Sequence, residues 1–287
     1  MFIVMGGTGN VGGAVTSALL AQGEPVAIVT RRRAKAAHWI ELGARVLEAD
    51  VLEPTSLRAA FRQGKRAFVL NPPADPTHDT DALERRTVRC ILEALEDCGL
   101  EKVVAASTAG AQAGDRIGDL SVLWELEQGL HDQPIPAAIQ RGAYYMSNWD
   151  AQLATARESG RLQSMIPAQM SVPMVSPADL GQLAAQPLRS PLHDIGVRHV
   201  EGPRRYSPNM VAQVFSELLG RTVEVTVTPR EQLRQGFEAL GFCEAAAHSY
   251  ARMTALSIDR HLELPHEALR GPTTLEEHLR RAAESLP

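Results

Sequence analysis

Lysine is nearly absent from this sequence. Its 287 residues hold Lys35, Lys65 and Lys102 and no others, and all three precede the four tyrosines, Tyr144, Tyr145, Tyr206 and Tyr250. Four places after those tyrosines stand Asn148, Trp149, Met210 and Thr254, which excludes a Tyr-xxx-Lys pair, where an ammonium group lowers the pKa of a catalytic phenol. Cysteine is as sparse. Cys90, Cys98 and Cys243 form no CxxC pair, which argues against a disulfide framework or a zinc ribbon. The nine histidines include no HExxH, so no metal is expected. No apolar run is long enough to span a bilayer. No basic leader precedes the first apolar segment, so a cytoplasmic protein with no membrane partner is the expectation. A net charge of −5 argues against nucleic acid as a direct partner. An ordinary apolar content of 44% leaves a globular enzyme or binding protein.

What is present is concentrated at the start. The apolar run Met1 to Met5 leads into Gly6-Gly7-Thr8-Gly9-Asn10-Val11-Gly12, a GxxGxxG spacing between a strand and an amphipathic helix carrying Val11, Val15 and Leu19. The first glycine permits the tight turn, the second lets backbone approach a pyrophosphate, and the third lets helix and strand pack closely. Free N–H groups at the helix start would then hold the phosphates. Further strands are expected at 26–30, 44–48, 66–70, 102–106 and 135–140, with helices between them. Such alternation predicts an α/β fold with a doubly wound parallel sheet. Beyond residue 150 the pattern loosens. We expect a dinucleotide-binding domain over 1–150 and a smaller α+β substrate-covering region over 151–287, of which about 195–228 returns to the main sheet. The methionine-rich stretch 165–174 reads as a lid or as core filling.

Strand ends carry the candidate site, because ligands of open parallel sheets bind along the carboxyl edge. No acidic residue lies between Glu24 and Glu41, where a carboxylate would bind the ribose of NAD, whereas Arg31, Arg32, Arg33 and Lys35 do. Arginine there suits the 2′-phosphate of NADP, so NADPH is expected in preference to NADH. Asp50 ends the third strand and suits the adenine rim, or else a turn. Asn71-Pro72-Pro73 ends the fourth strand beside the cofactor's ribose and phosphates, and Ser107-Thr108 ends the fifth, within reach of the nicotinamide ribose or the substrate. The segment Arg141 to Trp149 follows the sixth strand.

Taken together these motifs resemble the NmrA-like group of atypical short-chain dehydrogenase/reductases, which have a Rossmann fold. The resemblance runs nearly the whole length. It rests on the glycine loop, Thr30-Arg31 with Lys35, Ala49-Asp50-Val51-Leu52, Asn71-Pro72-Pro73, Trp124-Glu125-Leu126-Glu127 and Arg141-Gly142-Ala143-Tyr144-Tyr145-Met146-Ser147-Asn148. It continues through Pro177-Ala178-Asp179-Leu180-Gly181, Glu201-Gly202-Pro203 with Tyr206-Ser207, and Arg270-Gly271-Pro272-Thr273-Thr274-Leu275. The resemblance implies that Gly6, Thr8, Gly9, Asn10, Val11 and Gly12 hold the pyrophosphate and that Arg31 and Lys35 hold the 2′-phosphate. By the same implication Asp50 and Val51 edge the adenine, and Asn71 and Pro72 line the cofactor's middle. Many members carry a lysine or histidine near the nicotinamide where this sequence has Leu123. That departure weakens ketone reduction and harms quinone, dye or conjugated-imine reduction less, since such acceptors take a hydride readily. Tyr144 is then the expected proton donor, and Trp124, Tyr145, Met146, Asn148 and Trp149 would shape an apolar pocket.

The first functional expectation is an NAD(P)H-dependent oxidoreductase acting on a small apolar electrophile. The second, from another class, is a non-catalytic NAD(P)H sensor with a regulatory protein partner, which the loss of a cation at Leu123 fits. A homodimer is compatible with either. An epimerase or dehydratase on this fold would need the missing Tyr-xxx-Lys pair.

Overall fold

In the computed structural model, which describes residues 1–260 and 265–284, the first half is a run of alternating strands and helices. They are β1 (Phe2–Met5), α1 (Asn10–Leu20), β2 (Val26–Thr30), α2 (Ala37–Glu41), β3 (Arg45–Glu48), α3 (Pro54–Phe61), β4 (Arg66–Val69), α4 (Thr80–Leu95), β5 (Lys102–Thr108), α5 (Asp119–His131) and β6 (Ala137–Gly142). The second half continues with β7 (Tyr144–Tyr145), α6 (Gln152–Ser159), β8 (Arg161–Ser164), β9 (Val172–Val175), α7 (Pro177–Arg189), β10 (Gly196–Glu201), β11 (Arg205–Tyr206) and α8 (Pro208–Leu219). It ends with β12 (Glu224–Val227), α9 (Leu233–Ala239), α10 (Glu244–Asp259), β13 (Leu269–Arg270) and α11 (Leu275–Glu284).

The main sheet has eight strands in the order β13-β10-β6-β5-β4-β1-β2-β3, and its pairings are parallel. All strands therefore end on one edge, and the order reverses between β1 and β4. The strands are continuous apolar runs because both faces are covered. Ile3, Ala27, Val69, Val103 and Ile139 point to the side of α3, α4 and α5. Val4, Ile28, Phe68, Val104 and Ala138 point to the side of α1 and α7. Helix α7 can lie on α1 because it carries Gly181, where a Cβ would stand 2.3 Å from that of Ala14. Lys102, fully buried, serves this architecture: its Nζ donates to Ser190 Oγ (2.8 Å) and to the Pro191 carbonyl (2.9 Å) after the end of α7.

β6 begins at Ala137 rather than at Ile135, because Pro134 and Pro136 have no N–H to give to a ladder. Residues 196–201 extend the main sheet as β10, whereas the strand near 222–228 does not reach it. It pairs in parallel with β8 instead. Leu162, Val223 and Val225 there pack into a separate apolar cluster with Met174, Tyr206 and Phe215, against α6, α8 and α11. Met174 is fully buried in that cluster and Met170 packs on its border, so this part of the methionine-rich stretch fills core.

Candidate active site at the carboxyl edge of the sheet

The glycine loop leaves β1 with Gly6 in the left-handed region (φ +64°) and closes by a Gly9 N–H bond to the Gly6 carbonyl (2.9 Å). Gly12 lies directly behind this turn, where a Cβ would stand 2.3 Å from the Gly6 oxygen. Gly9 caps α1 without a side-chain hydrogen bond, and no acidic residue occupies the first turn. The first N–H groups of the helix therefore face outward beside exposed Thr8, Gly9 and Asn10, with Val11 half-buried. This is a cradle for an anion. At the end of β2, Arg31, Arg32, Arg33 and Lys35 are exposed, and Thr30 Oγ1 accepts from the Arg32 N–H (3.2 Å). Between β1 and β4, at the point where strand order reverses, Asn71 Oδ1 is buried with no hydrogen-bond partner among the described residues. An orphaned acceptor, an uncapped helix start and an unopposed cationic run suit a phosphorylated dinucleotide.

Other strand-end residues have protein partners. Asp50 Oδ1 accepts from the Leu52 N–H (3.0 Å), which is the turn role, and Val51 packs on the core. Pro72 is half-buried. The Ser107 hydroxyl donates to Glu127, whose carboxylate is held by Arg141 through two bonds (2.9 and 2.6 Å). Ser107 and Arg141 sit opposite each other on β5 and β6, and His199 of β10 is next in the row. Burial, and then the Arg141 charge, hold the His199 imidazole below its ordinary pKa. Thr108 is half-buried beside this row. Leu123 packs against the core under the sheet.

The two adjacent tyrosines part company. They lie on β7, where successive side chains take opposite faces, with Tyr144 opposite Met174 and Tyr145 opposite Val175. Tyr144 packs against the C-terminal cluster, its ring 5.9 Å from that of Trp149, with buried Met146 alongside. Burial pushes its phenol up to about 12, partly offset by a hydrogen bond with exposed Asn148. Tyr145 packs with Val11, Val175 and Leu180, against the glycine-loop helix. Its hydroxyl has no hydrogen bond among the described residues, and burial, then the charge of Asp119, push it up to about 12. Trp124 is half-buried on α5.

Asp119 opens a feature that the sequence reading missed. It is hydrogen-bonded to Glu84, whose Oε1 also accepts from the Ala74 N–H (2.9 Å), just beyond Asn71-Pro72-Pro73. Two carboxylates cannot donate to each other, so the pair shares a proton. Burial and the nearby Asp119 charge push Glu84 up to about 8, and burial raises Asp119 as well. Asp81 flanks the pair, held by Arg85 (2.7 Å) and by the Ser249 hydroxyl of α10 (3.1 Å). Tyr250 of the same helix faces it, its phenol raised by burial and then by Asp119 and Glu84. A signal was available. Glu84 stands in the same stripe of α4 as Val88, Ile91 and Leu95, where a carboxyl group must be buried.

This pair has a consequence for stability. The folded chain holds the Glu84 proton up to about pH 8, whereas an unfolded glutamate releases it in the ordinary carboxylate range. Between those limits the folded state binds more protons, so stability falls as pH rises through them. Glu84→Gln, neutral throughout, removes that contribution. Its Tm should drop less than the wild type's between about pH 5 and about pH 8.5 in thermal scans, and equal drops would contradict the shared proton.

Comparison with known proteins gives the site its context. Residues 1–279 match the NmrA-like family. The chain belongs to the NmrA-like family. It is 25% identical over 257 residues to an NAD(P)H azoreductase of Xenophilus azovorans, covering 90% of this chain and 87% of the relative. In fold it resembles the triphenylmethane reductase of Citrobacter sp. complexed with NADP(H) (22% identity, TM-score 0.79, 98% of this chain and 99% of that one). It also resembles an NADPH-dependent quinone oxidoreductase of Escherichia coli complexed with NADPH (19% identity, TM-score 0.80, 98% and 99%). Several of the motifs that carry the NmrA-like resemblance turn out to hold the fold together. Asp179 accepts the Thr273 N–H (2.9 Å) and hydroxyl (2.8 Å), and the Tyr206 hydroxyl accepts the Leu275 N–H (3.1 Å). Among the described residues no helix is long and apolar enough to cross a membrane.

Proposed function

We propose that this NmrA-like chain is an NADPH-dependent reductase of apolar, electrophilic small molecules: quinones, azo or triphenylmethane dyes, or conjugated imines. The observation that carries the reading is the uncapped glycine cradle of α1 flanked by the acid-free run Arg31 to Lys35. Gly6, Thr8, Gly9, Asn10, Val11 and Gly12 would hold the pyrophosphate through backbone N–H groups, and Arg31 with Lys35 the 2′-phosphate. Asn71 would give its orphaned oxygen to the cofactor's middle, beside Pro72. When bound, the dihydronicotinamide supplies a hydride. The chain's part is to orient it against the acceptor and keep water out. Residues 1–150 would form the cofactor unit and 151–287 the substrate-covering one, with α10 held over the start of α5 by the Ser249 hydroxyl, which accepts from the Gly118 N–H. The azoreductase, dye reductase and quinone oxidoreductase relatives support this acceptor class.

The test is NADPH oxidation with a panel of quinones, azo dyes, triphenylmethane dyes and cyclic imines. Turnover with at least one is expected. Tight NADPH binding without turnover of any would replace the reading with a sensor. The sensor has one observation in its favour, Leu123 packed against the core at the place where the NmrA-like resemblance implies a lysine or histidine. A sensor would bind oxidised and reduced cofactor with comparable affinity.

A further inference from the structure

We infer that Tyr145, backed by the hydrogen-bonded Glu84–Asp119 pair, delivers the proton that neutral acceptors need alongside the hydride. The inference rests on the reductase reading. Tyr145 is placed for the role by the alternation of β7, which packs Tyr144 on the C-terminal cluster and Tyr145 on Val11 of the glycine-loop helix, where its phenol feels the charge of Asp119. Its hydroxyl has no protein partner to give up among the described residues. Behind it the carboxyl pair lies between α4 and α5, and burial raises both groups. The charged and titratable groups around the pair come from each packed element. On α4 they are Asp81, paired with Arg85, which also meets Glu125 of α5. On α10 it is Tyr250, and at the rim Asp79 is paired with Arg116 (2.7 Å). With Asp81 and Asp79 already matched by arginines, the Glu84–Asp119 proton is the acidic one left near Tyr145.

The chemistry divides acceptors by charge. Hydride addition to a quinone or an azo bond leaves a negative oxygen or nitrogen. The Tyr145 O–H bond then breaks as the new O–H or N–H bond forms. The tyrosinate recovers a proton from the carboxyl pair, a stronger acid than a phenol, and water refills the pair. A triphenylmethane dye is already a cation. The hydride neutralises it, and no proton is consumed.

The experiment compares the full-length wild type with Tyr145→Phe, Asp119→Asn and Glu84→Gln on one quinone and one triphenylmethane dye. NADPH Kd reports that the site is intact. Tyr145→Phe should lose about 100-fold or more in kcat on the quinone, the range for general acid catalysis, and lose far less on the dye, with NADPH still bound. Asp119→Asn should lower the quinone rate selectively and remove its decline above about pH 8. Infrared difference spectra of the wild type at neutral pH should show a protonated carboxyl stretch that Glu84→Gln lacks. A quinone rate unchanged in Tyr145→Phe, equal losses on quinone and dye, a selective loss in Tyr144→Phe instead, or no protonated carboxyl band would overturn the inference. If the wild type reduces neither acceptor, the reductase reading falls and this inference with it. Dye turnover with an unaltered quinone rate in Tyr145→Phe overturns the inference alone.

Discussion

Gly12→Ala should abolish measurable NADPH binding and lower the Tm, whereas Gly9→Ala should abolish binding with the Tm unchanged. The two glycines stand three residues apart in one loop and do different work. An added methyl group at Gly12 would lie 2.3 Å from the Gly6 oxygen, 2.5 Å from its carbonyl carbon and 2.6 Å from the Met5 oxygen. All three are backbone atoms, so no rotamer change relieves the overlap and the turn must open. Overpacking of this kind costs about 1–3 kcal/mol where side chains can adjust, and more where only backbone can. At Gly9 the same methyl meets one atom, the Gly6 oxygen at 3.4 Å, and the backbone (φ −105°, ψ −179°) suits any residue. The fold tolerates it. The methyl projects into the space in front of the helix N-terminus, where a pyrophosphate must approach the N–H groups. Isothermal titration with NADPH and thermal melts on both variants check this. Full binding by Gly9→Ala would remove the pyrophosphate from the cradle.

Arg31→Ala should raise the Kd for NADPH by about 10- to 100-fold and leave that for NADH nearly unchanged, since a charge-assisted hydrogen bond contributes about 1.5–3 kcal/mol. The two cofactors differ by the 2′-phosphate alone, so the ratio isolates the arginine's contact from everything else in the cleft. Arg31 is exposed, directly beyond β2, and no carboxylate lies between Glu24 and Glu41 to take the ribose hydroxyls of NADH. Lys35→Ala should act in the same direction and less strongly, because an ammonium meets the phosphate as a point charge rather than as a fork. Equal losses for both cofactors would make the basic run a solvated surface.

The limits of sequence reading show in particular residues. The glycine loop was legible because its turn is a local backbone geometry, written in consecutive positions. The parallel sheet was legible because strands buried on both faces are short apolar runs. Asp50 could be read two ways, and the structure gives its Oδ1 to the Leu52 N–H. Ser107 invited a ligand role, yet its hydroxyl is engaged by Glu127, which only a helix crossing over β5 could supply. Residues 222–228 have the composition of a sheet strand. Composition does not say which sheet, and here the neighbour is β8.

By itself the sequence determined the architecture, a doubly wound sheet with a glycine loop at the start of its first helix, and it set an acid-free basic run after the second strand and removed the Tyr-xxx-Lys pair. Tertiary structure alone decided which face each side chain takes. Tyr144 and Tyr145 are chemically identical neighbours, and strand pleat sends them to opposite sides. Glu84 and Asp119 lie on different helices, and the packing of α4 against α5 brings them within a hydrogen bond. Burial then makes them share a proton, because two desolvated charges that close cannot both persist.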